Sequence, residues 1–138
     1  MKFGVGVDYS LKALLFLAAR FEAAQPLTVE EIAASEELPE DYLRRLLAEL
    51  KRGGIVVSRK GPSGGYALAR HPSKITMADV VSVIEGESLG AKSSSHRAEA
   101  GAIPEVWRQV GEAMAAILRR QSLESLLKRR KAALTFQI

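Results

Sequence analysis

The sequence predicts a mainly α-helical fold with one small β-hairpin, and three observations lead there. Apolar residues make up 47% of the 138 residues but aromatics only 6%, which suits a helical interior built from Leu and Ala better than a sandwich or barrel. Apolar positions recur at helical spacing along most of the chain. One Gly-rich segment, Lys60-Gly61-Pro62-Ser63-Gly64-Gly65, separates two short strand-like runs.

The elements follow in order. Asp8 is placed to cap a first helix whose apolar stripe is Leu11, Leu14, Leu15, Leu17, Ala18 and Phe21, ended by Gln25-Pro26. Thr28-Val29-Glu30-Glu31 has capping-box spacing and predicts a short helix over Val29 to Ser35 that buries Val29, Ile32 and Ala33. Pro39 opens a third helix, where its missing N–H costs nothing; Leu43, Leu46, Leu47 and Leu50 form its buried side and Gly53-Gly54 its end. Ile55–Arg59 and Tyr66–Ala69 read as two strands joined by a projecting loop in which Gly61, Gly64 and Gly65 permit positive φ. Thr76 caps a fourth helix over Met77 to Glu85, with Val80, Val81 and Ile84 inward. A long helix from Ile103 to Gln121 carries Ile103, Val106, Trp107, Val110, Met114, Ile117 and Leu118 as one stripe, and Ser122 caps a terminal helix running to about Lys131. The expected organisation is one folded unit over residues 1–86, a flexible linker over 87–102, and a helical unit over 103–138.

Composition excludes several classes. The chain contains no cysteine, which removes disulfides, thiolate-bound metals and thiol nucleophiles. No secretory signal follows Met1-Lys2-Phe3. The longest apolar run, Ala13 to Ala19, falls far short of the ~20 residues of a membrane helix, so a cytoplasmic location is expected. No paired carboxylates, nucleophile with a nearby histidine, or phosphate-binding loop followed by a helix is present, so no enzyme is expected. His71 beside Pro72 and His96 in the Ser-rich linker read as ordinary loop residues.

Charge is distributed unevenly although the net value is only +4. Every charge from Glu22 to Asp41 is negative, whereas from Arg44 to Arg70 all but Glu49 are positive. Such a local field steers polyanions. The order helix, helix, helix, strand, Gly-rich loop, strand is that of a winged helix-turn-helix, in which one helix enters a DNA major groove and the wing meets neighbouring phosphates. On the third helix Glu40, Asp41, Arg44, Arg45, Ala48 and Lys51 are left on the outer side. Arg44 and Arg45 suit guanine edges or phosphates, and Glu40 and Asp41 can accept from cytosine or orient the arginines.

These segments resemble the Rrf2 family of bacterial transcription regulators. The matching residues are Asp8–Leu14, Val29–Ala33, Leu38-Pro39 with Tyr42-Leu43 and Leu46-Leu47, Gly54–Ser58, Gly61–Tyr66, Ile75-Thr76 with Val80-Val81, Ile84-Glu85-Gly86, Trp107 and Ser122-Leu123. The resemblance implies a homodimer crossed by the long helix and acting on a palindromic operator, as a repressor. It carries Pro39, Asp41, Arg44 and Arg45 onto the recognition surface, Arg59, Lys60, Gly61 and Ser63 onto the wing, and Tyr9 and Lys12 onto a site near the phosphate backbone. Thr28, Tyr42, Lys51, Gly64 and Gly65 complete the expected DNA contacts. Ile103, Val106, Trp107, Val110, Met114, Ile117 and Leu118 are the expected dimer contacts.

Two departures stand out. Lys60 occupies a position where the family usually has Arg, and lysine is a point charge without the planar fork. The interval where sensor members place three cysteines holds none here. Asp8 and His96 can each ligate a metal, but they do not hold a cluster made for thiolates, so no cofactor and no metal is expected. Regulation then enters through a small-molecule ligand or a protein partner. The basic run Lys128–Lys131 and the apolar Leu134, Phe136 and Ile138 are a candidate docking segment for such a partner.

Overall fold

The structure, a computed structural model, describes residues 3–23, 25–60, 64–86 and 101–136. Its elements are α1 (Val5–Ala19), α2 (Val29–Glu36), α3 (Glu40–Arg52), β1 (Val56–Arg59), β2 (Gly65–Leu68), α4 (Met77–Glu85), α5 (Ala102–Arg120) and α6 (Leu123–Phe136). Single 3-10 turns cover Phe21–Ala23 and Pro72–Lys74. The expected mainly helical fold with one hairpin is what forms.

The first helix begins three residues before the expected cap. Gly4 is its N-cap, and Asp8 lies inside the first turn, where its charge faces the positive end of the helix dipole. Gly4 N–H donates to Glu85 Oε1 at 3.2 Å, so a carboxylate from the end of α4 does the capping that Asp8 was expected to do. The helix ends at Ala19, and Phe21 packs from the 3-10 turn instead of from α1. Thr28 caps α2 by accepting from Glu31 N at 3.1 Å. Thr76 caps α4 with a reciprocal box, Asp79 N to Thr76 Oγ1 at 3.1 Å and Thr76 N to Asp79 Oδ2 at 2.9 Å. Ser122 and Ser125 exchange an equivalent pair at the start of α6.

The core gathers Leu14 and Leu17 of α1, Ile32 of α2, Leu43, Leu47 and Leu50 of α3, Val56 and Leu68 of the hairpin, and Val80 of α4. Leu123 joins the same cluster, fully buried, because α6 lies against α1. The junction between α5 and α6 is hydrogen-bonded to the start of α4, through Met77 N to Gln121 O at 2.8 Å and Leu123 N to Ile75 O at 2.9 Å. The C-terminal helices therefore share a core with residues 1–86. The expected linker lies almost wholly outside the described residues, and Ala102, its last residue, is already in α5.

The hairpin is antiparallel, pairing Val56 with Leu68 and Arg59 with Gly65. A third edge is added by Leu27, which exchanges two backbone hydrogen bonds with Tyr66 at 2.8 and 3.0 Å. This approach explains Gly65 better than backbone freedom does. A Cβ there would stand 2.4 Å from the Leu27 carbonyl oxygen, and Gly65 does not take the positive φ that the loop reading allowed it. Positive φ falls instead at Gly54, just after α3, where an αL residue ends the helix. Gly53 is equally constrained: a Cβ there would meet Val83 Cγ2 at 2.5 Å, so its absence lets α3 end against α4.

Candidate nucleic-acid interface

The outward side of α3 follows from its inward side. With Leu43, Leu46, Leu47 and Leu50 buried, Glu40, Asp41, Arg44, Arg45, Lys51 and Arg52 are exposed. Acidic residues begin the helix and basic ones end it, which matches the helix dipole at both ends. Pro39 is the N-cap residue, one position earlier than the first helical turn expected for it.

The expected site residues separate into free cations and residues already engaged. Arg45 and Lys51 on α3, Lys12 on α1, and Arg59 and Lys60 at the hairpin are exposed and have no ion-pair partner among the described residues. Arg52, not singled out from the sequence, extends this set by one residue along α3. Arg44 is engaged: its Nη2 lies 2.9 Å from Glu40 Oε1 and 3.4 Å from Glu30 Oε1. Glu30 is held below the usual glutamate value by its own backbone N–H first and by the Arg44 guanidinium second. Tyr9 and Tyr42 are half-buried and pack edge to face, with ring centroids 5.9 Å apart. The Tyr42 hydroxyl lies where a Cβ on Gly6 would come within 2.8 Å, so α1 and α3 meet closely at this pair. Thr28 is committed to its capping bond. Gly61 and Ser63 lie outside the described residues.

Arg70 belongs to the basic stretch in sequence but is engaged within the fold. It donates to Lys74 O at 2.9 Å, to Gly54 O at 3.1 Å and to Asp79 Oδ2 at 3.2 Å, and so fastens the hairpin to the end of α3 and the start of α4. The sequence signal for this role is weak, since nothing in the spacing of Arg70 distinguishes a clamp from a surface charge.

The long stripe of α5 divides. Leu118 and Ala115 are buried, and Leu118 with half-buried Met114 packs against Val7, Ala78 and Val81 of the same protomer. Leu118 is thus not available as the dimer contact it was expected to be: its apolar surface is already covered by α1 and α4. Ile103, Val106, Trp107, Val110 and Ile117 stay exposed, Ile103 at 73% and Trp107 at 60%. The basic tail is partly engaged too. Arg130 makes a two-pronged pair with Glu36 of α2, both contacts 3.3 Å, and Lys128 pairs with Glu124 at 3.6 Å. Leu134 is exposed, and the Phe136 and Ile138 side chains lie outside the description.

Among the described residues, no group of three or more His, Asp and Glu side chains converges on a possible metal position. His71 accepts from Ser73 N at 3.1 Å through Nδ1 and stands edge-on to Phe21, which makes it a loop cap. No described helix is long and apolar enough to cross a membrane.

Comparison with known proteins agrees with this architecture. The chain matches the Rrf2 family, described as an iron-dependent transcriptional regulator, over residues 4–129. It is 42% identical over 82 residues to a putative HTH-type transcriptional regulator, rrf2-like, of Rhodobacter capsulatus, a stretch covering 58% of this chain and 55% of that relative. The match thus spans about half the length of that relative. The chain is 31% identical to the HTH-type transcriptional regulator CymR of Bacillus subtilis over 91% of its own length and 89% of that protein. Among solved structures, IscR of T. potens superposes with a TM-score of 0.82 at 31% identity, covering 96% of this chain and 90% of that one.

Proposed function

The chain belongs to the Rrf2 family of transcriptional regulators, not to a family of enzymes, and from that premise we propose that it is a sequence-specific DNA-binding repressor that acts as a homodimer on a palindromic operator. The observation that carries the reading is the set of exposed cations without an ion-pair partner among the described residues, Arg45, Lys51 and Arg52 on the outer side of α3 and Arg59 and Lys60 on the hairpin that packs against it. A helix of ~10–12 Å diameter fits a major groove ~12 Å wide, and hairpin cations meet the flanking phosphates. Tyr9 packs on Tyr42 of α3, and the exposed Lys12, one turn further along α1, is read as a phosphate contact. The dimer rests on the exposed stripe Ile103, Val106, Trp107, Val110 and Ile117, an apolar face that a second copy covers by symmetry. Two recognition helices then engage half-sites about one helical turn apart, ~34 Å, or a multiple of it.

The test is titration of a duplex selected from a random pool, at several salt concentrations. About six phosphate contacts predict a slope of log affinity against log salt near −5, and a slope near zero overturns the reading.

The family description names iron, and the residues present do not fit an iron–sulfur cluster. Such clusters are held by thiolates, and the 138 residues contain no cysteine. The signal that controls this regulator therefore enters by other chemistry, a small-molecule ligand or a protein partner. Docking through the basic tail is disfavoured by the Arg130–Glu36 pair, which uses that tail inside the protomer.

A further inference from the structure

The hairpin leaves α3 through Gly53-Gly54, a joint of two conformationally permissive residues, with Gly54 at φ 77°. A Cβ at Gly54 would meet nothing within 4 Å, so packing at that residue does not set its conformation. Burial of Ile55, Val56 and Leu68 seats the base of the hairpin, while Val57, Ser58, Arg59 and Lys60 beyond it are exposed. Apolar burial is non-directional, which leaves the angle between the hairpin and α3 to directional contacts at this joint. Arg70, two residues past the end of β2, supplies them. Its Nε donates to Lys74 O at 2.9 Å, its Nη1 to Gly54 O at 3.1 Å and its Nη2 to Asp79 Oδ2 at 3.2 Å. All three nitrogens of one planar group are thereby engaged, by the joint itself, by the 3-10 turn and by the first turn of α4. Asp79 is held in turn, since the same Oδ2 accepts from Thr76 N at 2.9 Å in the cap of α4. The Gly54 contact stands beside the backbone bond from Ala69 N to Ile55 O, so the side chain adds a rung where the hairpin ladder ends. Lysine has no such fork, and a single ammonium does not reproduce this three-way hold.

We propose that Arg70 is a positioning residue for DNA binding: by tying the Gly54 carbonyl to the start of α4, it sets the hairpin cations Arg59 and Lys60 at the angle to α3 at which both elements meet one duplex. This rests on the DNA-binding reading above and deepens it, because it assigns a role in binding to a cation that acts through other residues. When Arg70 lets go, the hairpin samples other angles about the glycine joint. Affinity then falls by the fraction of time spent away from the competent angle. The phosphate contacts made once the complex has formed are the same, so the salt dependence does not change.

The experiment titrates the full chain with a duplex selected from a random pool, at several salt concentrations and well below the melting temperature of each variant. Arg70→Lys keeps the charge and loses the fork. The expected result is about five- to tenfold weaker binding, the scale of one charge-assisted hydrogen bond, with an unchanged salt slope. In a background carrying Arg59→Gln and Lys60→Gln, Arg70→Lys no longer changes the affinity, because the hairpin has no cation left to place. Asp79→Asn is the second variant and stands in if the first does not fold. It leaves an acceptor for Thr76 N but removes the charge facing Nη2. Its added net positive charge would by itself tighten binding to DNA, whereas positioning predicts binding weaker by about two- to threefold. A lowered melting temperature with unchanged affinity, an equal loss when the hairpin cations are absent, or tighter binding by Asp79→Asn each overturns the positioning role while leaving the protein a DNA binder. If the unmodified protein shows no salt-dependent binding to the duplex, the DNA-binding reading is overturned first and this role with it.

Discussion

Helices α3 and α5 are both strongly amphipathic, yet they use their apolar faces differently. All four α3 leucines, Leu43, Leu46, Leu47 and Leu50, are buried inside the protomer. On α5 only Ala115 and Leu118 are buried, while Ile103, Val106, Trp107, Val110 and Ile117 face outward. The same periodic signal thus marks an internal seat in one helix and an unoccupied one in the other. The contrast separates the labour of the molecule: α3 is held by apolar contacts behind it so that Arg45, Lys51 and Arg52 face outward, and α5 is held by its C-terminal half so that its apolar face is exposed among the described residues.

The largest effect expected from this contrast is on folding. Leu47 is completely buried, so Leu47→Ala loses about 2–5 kcal/mol of stability in chemical denaturation. Ile117, 53% exposed, is predicted to cost the protomer less than about 0.5 kcal/mol when cut to alanine. Equal costs for the two substitutions would break the contrast, because they would mean that the outer face of α5 is already covered within one chain.

The next effect is on association. In a symmetric dimer one substitution is made twice, so trimming Val110, 38% exposed in the protomer, acts on both sides of the interface. At about 0.8 kcal/mol per methylene, Val110→Ala is expected to weaken self-association by about 1–3 kcal/mol, roughly ten- to hundredfold in the dissociation constant, read by sedimentation. Leu118→Ala sharpens the same comparison from the other side, since it should destabilise the protomer through its contacts with Val7, Ala78 and Val81. An unchanged dissociation constant for Val110→Ala counts against α5 as the dimer surface.

A smaller effect tests how the frame behind α3 is closed. Glu85 accepts from Gly4 N at the start of α1, where a negative charge also interacts favourably with the positive end of the helix dipole. Glu85→Gln keeps an acceptor and removes the charge, with an expected loss of about 0.3–1 kcal/mol in thermal unfolding. No change would show that the hydrogen bond alone carries this end of α1.

Much of the frame is legible in the sequence because local chemistry writes it: Thr28 and Thr76 as caps, the leucines of α3, the two strand runs, Pro39 before α3. What is not legible is what distant segments do to one another. Gly4 caps α1 only because Glu85 is carried to it by α4, so Asp8, the nearest plausible residue, was the natural expectation. Gly65 reads as a loop glycine, yet its reason is the backbone of Leu27 beside it. Leu118 belongs to the same helical stripe as Ile117, and the positions of α1 and α4 assign the two to opposite environments. For the candidate interface, the basic residues are legible by their type. Which of them are free is not, because Glu30 and Asp79 claim Arg44 and Arg70 through tertiary contacts.

The smallest expected effect compares two exposed carboxylates, one from each side of the contrast. Glu30 is lowered below the usual glutamate value by its own backbone N–H and then by Arg44, across α2 and α3. Glu105 is lowered by its hydrogen bond from Arg108, a partner within α5 itself. A carboxylate with a depressed folded-state value contributes stability above its unfolded pKa and loses it as pH falls through the folded value. Both pairs therefore weaken only on acidification, below the ordinary carboxylate range, and both are small because water screens them. They differ in reach. Protonating Glu105 releases a contact local to one helix, whereas protonating Glu30 releases a contact between two. Melting temperature followed from neutral to acid pH should accordingly lose slope more in Glu30→Gln than in Glu105→Gln. The reverse order would mean that the start of α5, and not the α2–α3 pair, carries the acid-sensitive part of the fold, and the division between a framed α3 and an unencumbered α5 would have to be redrawn there.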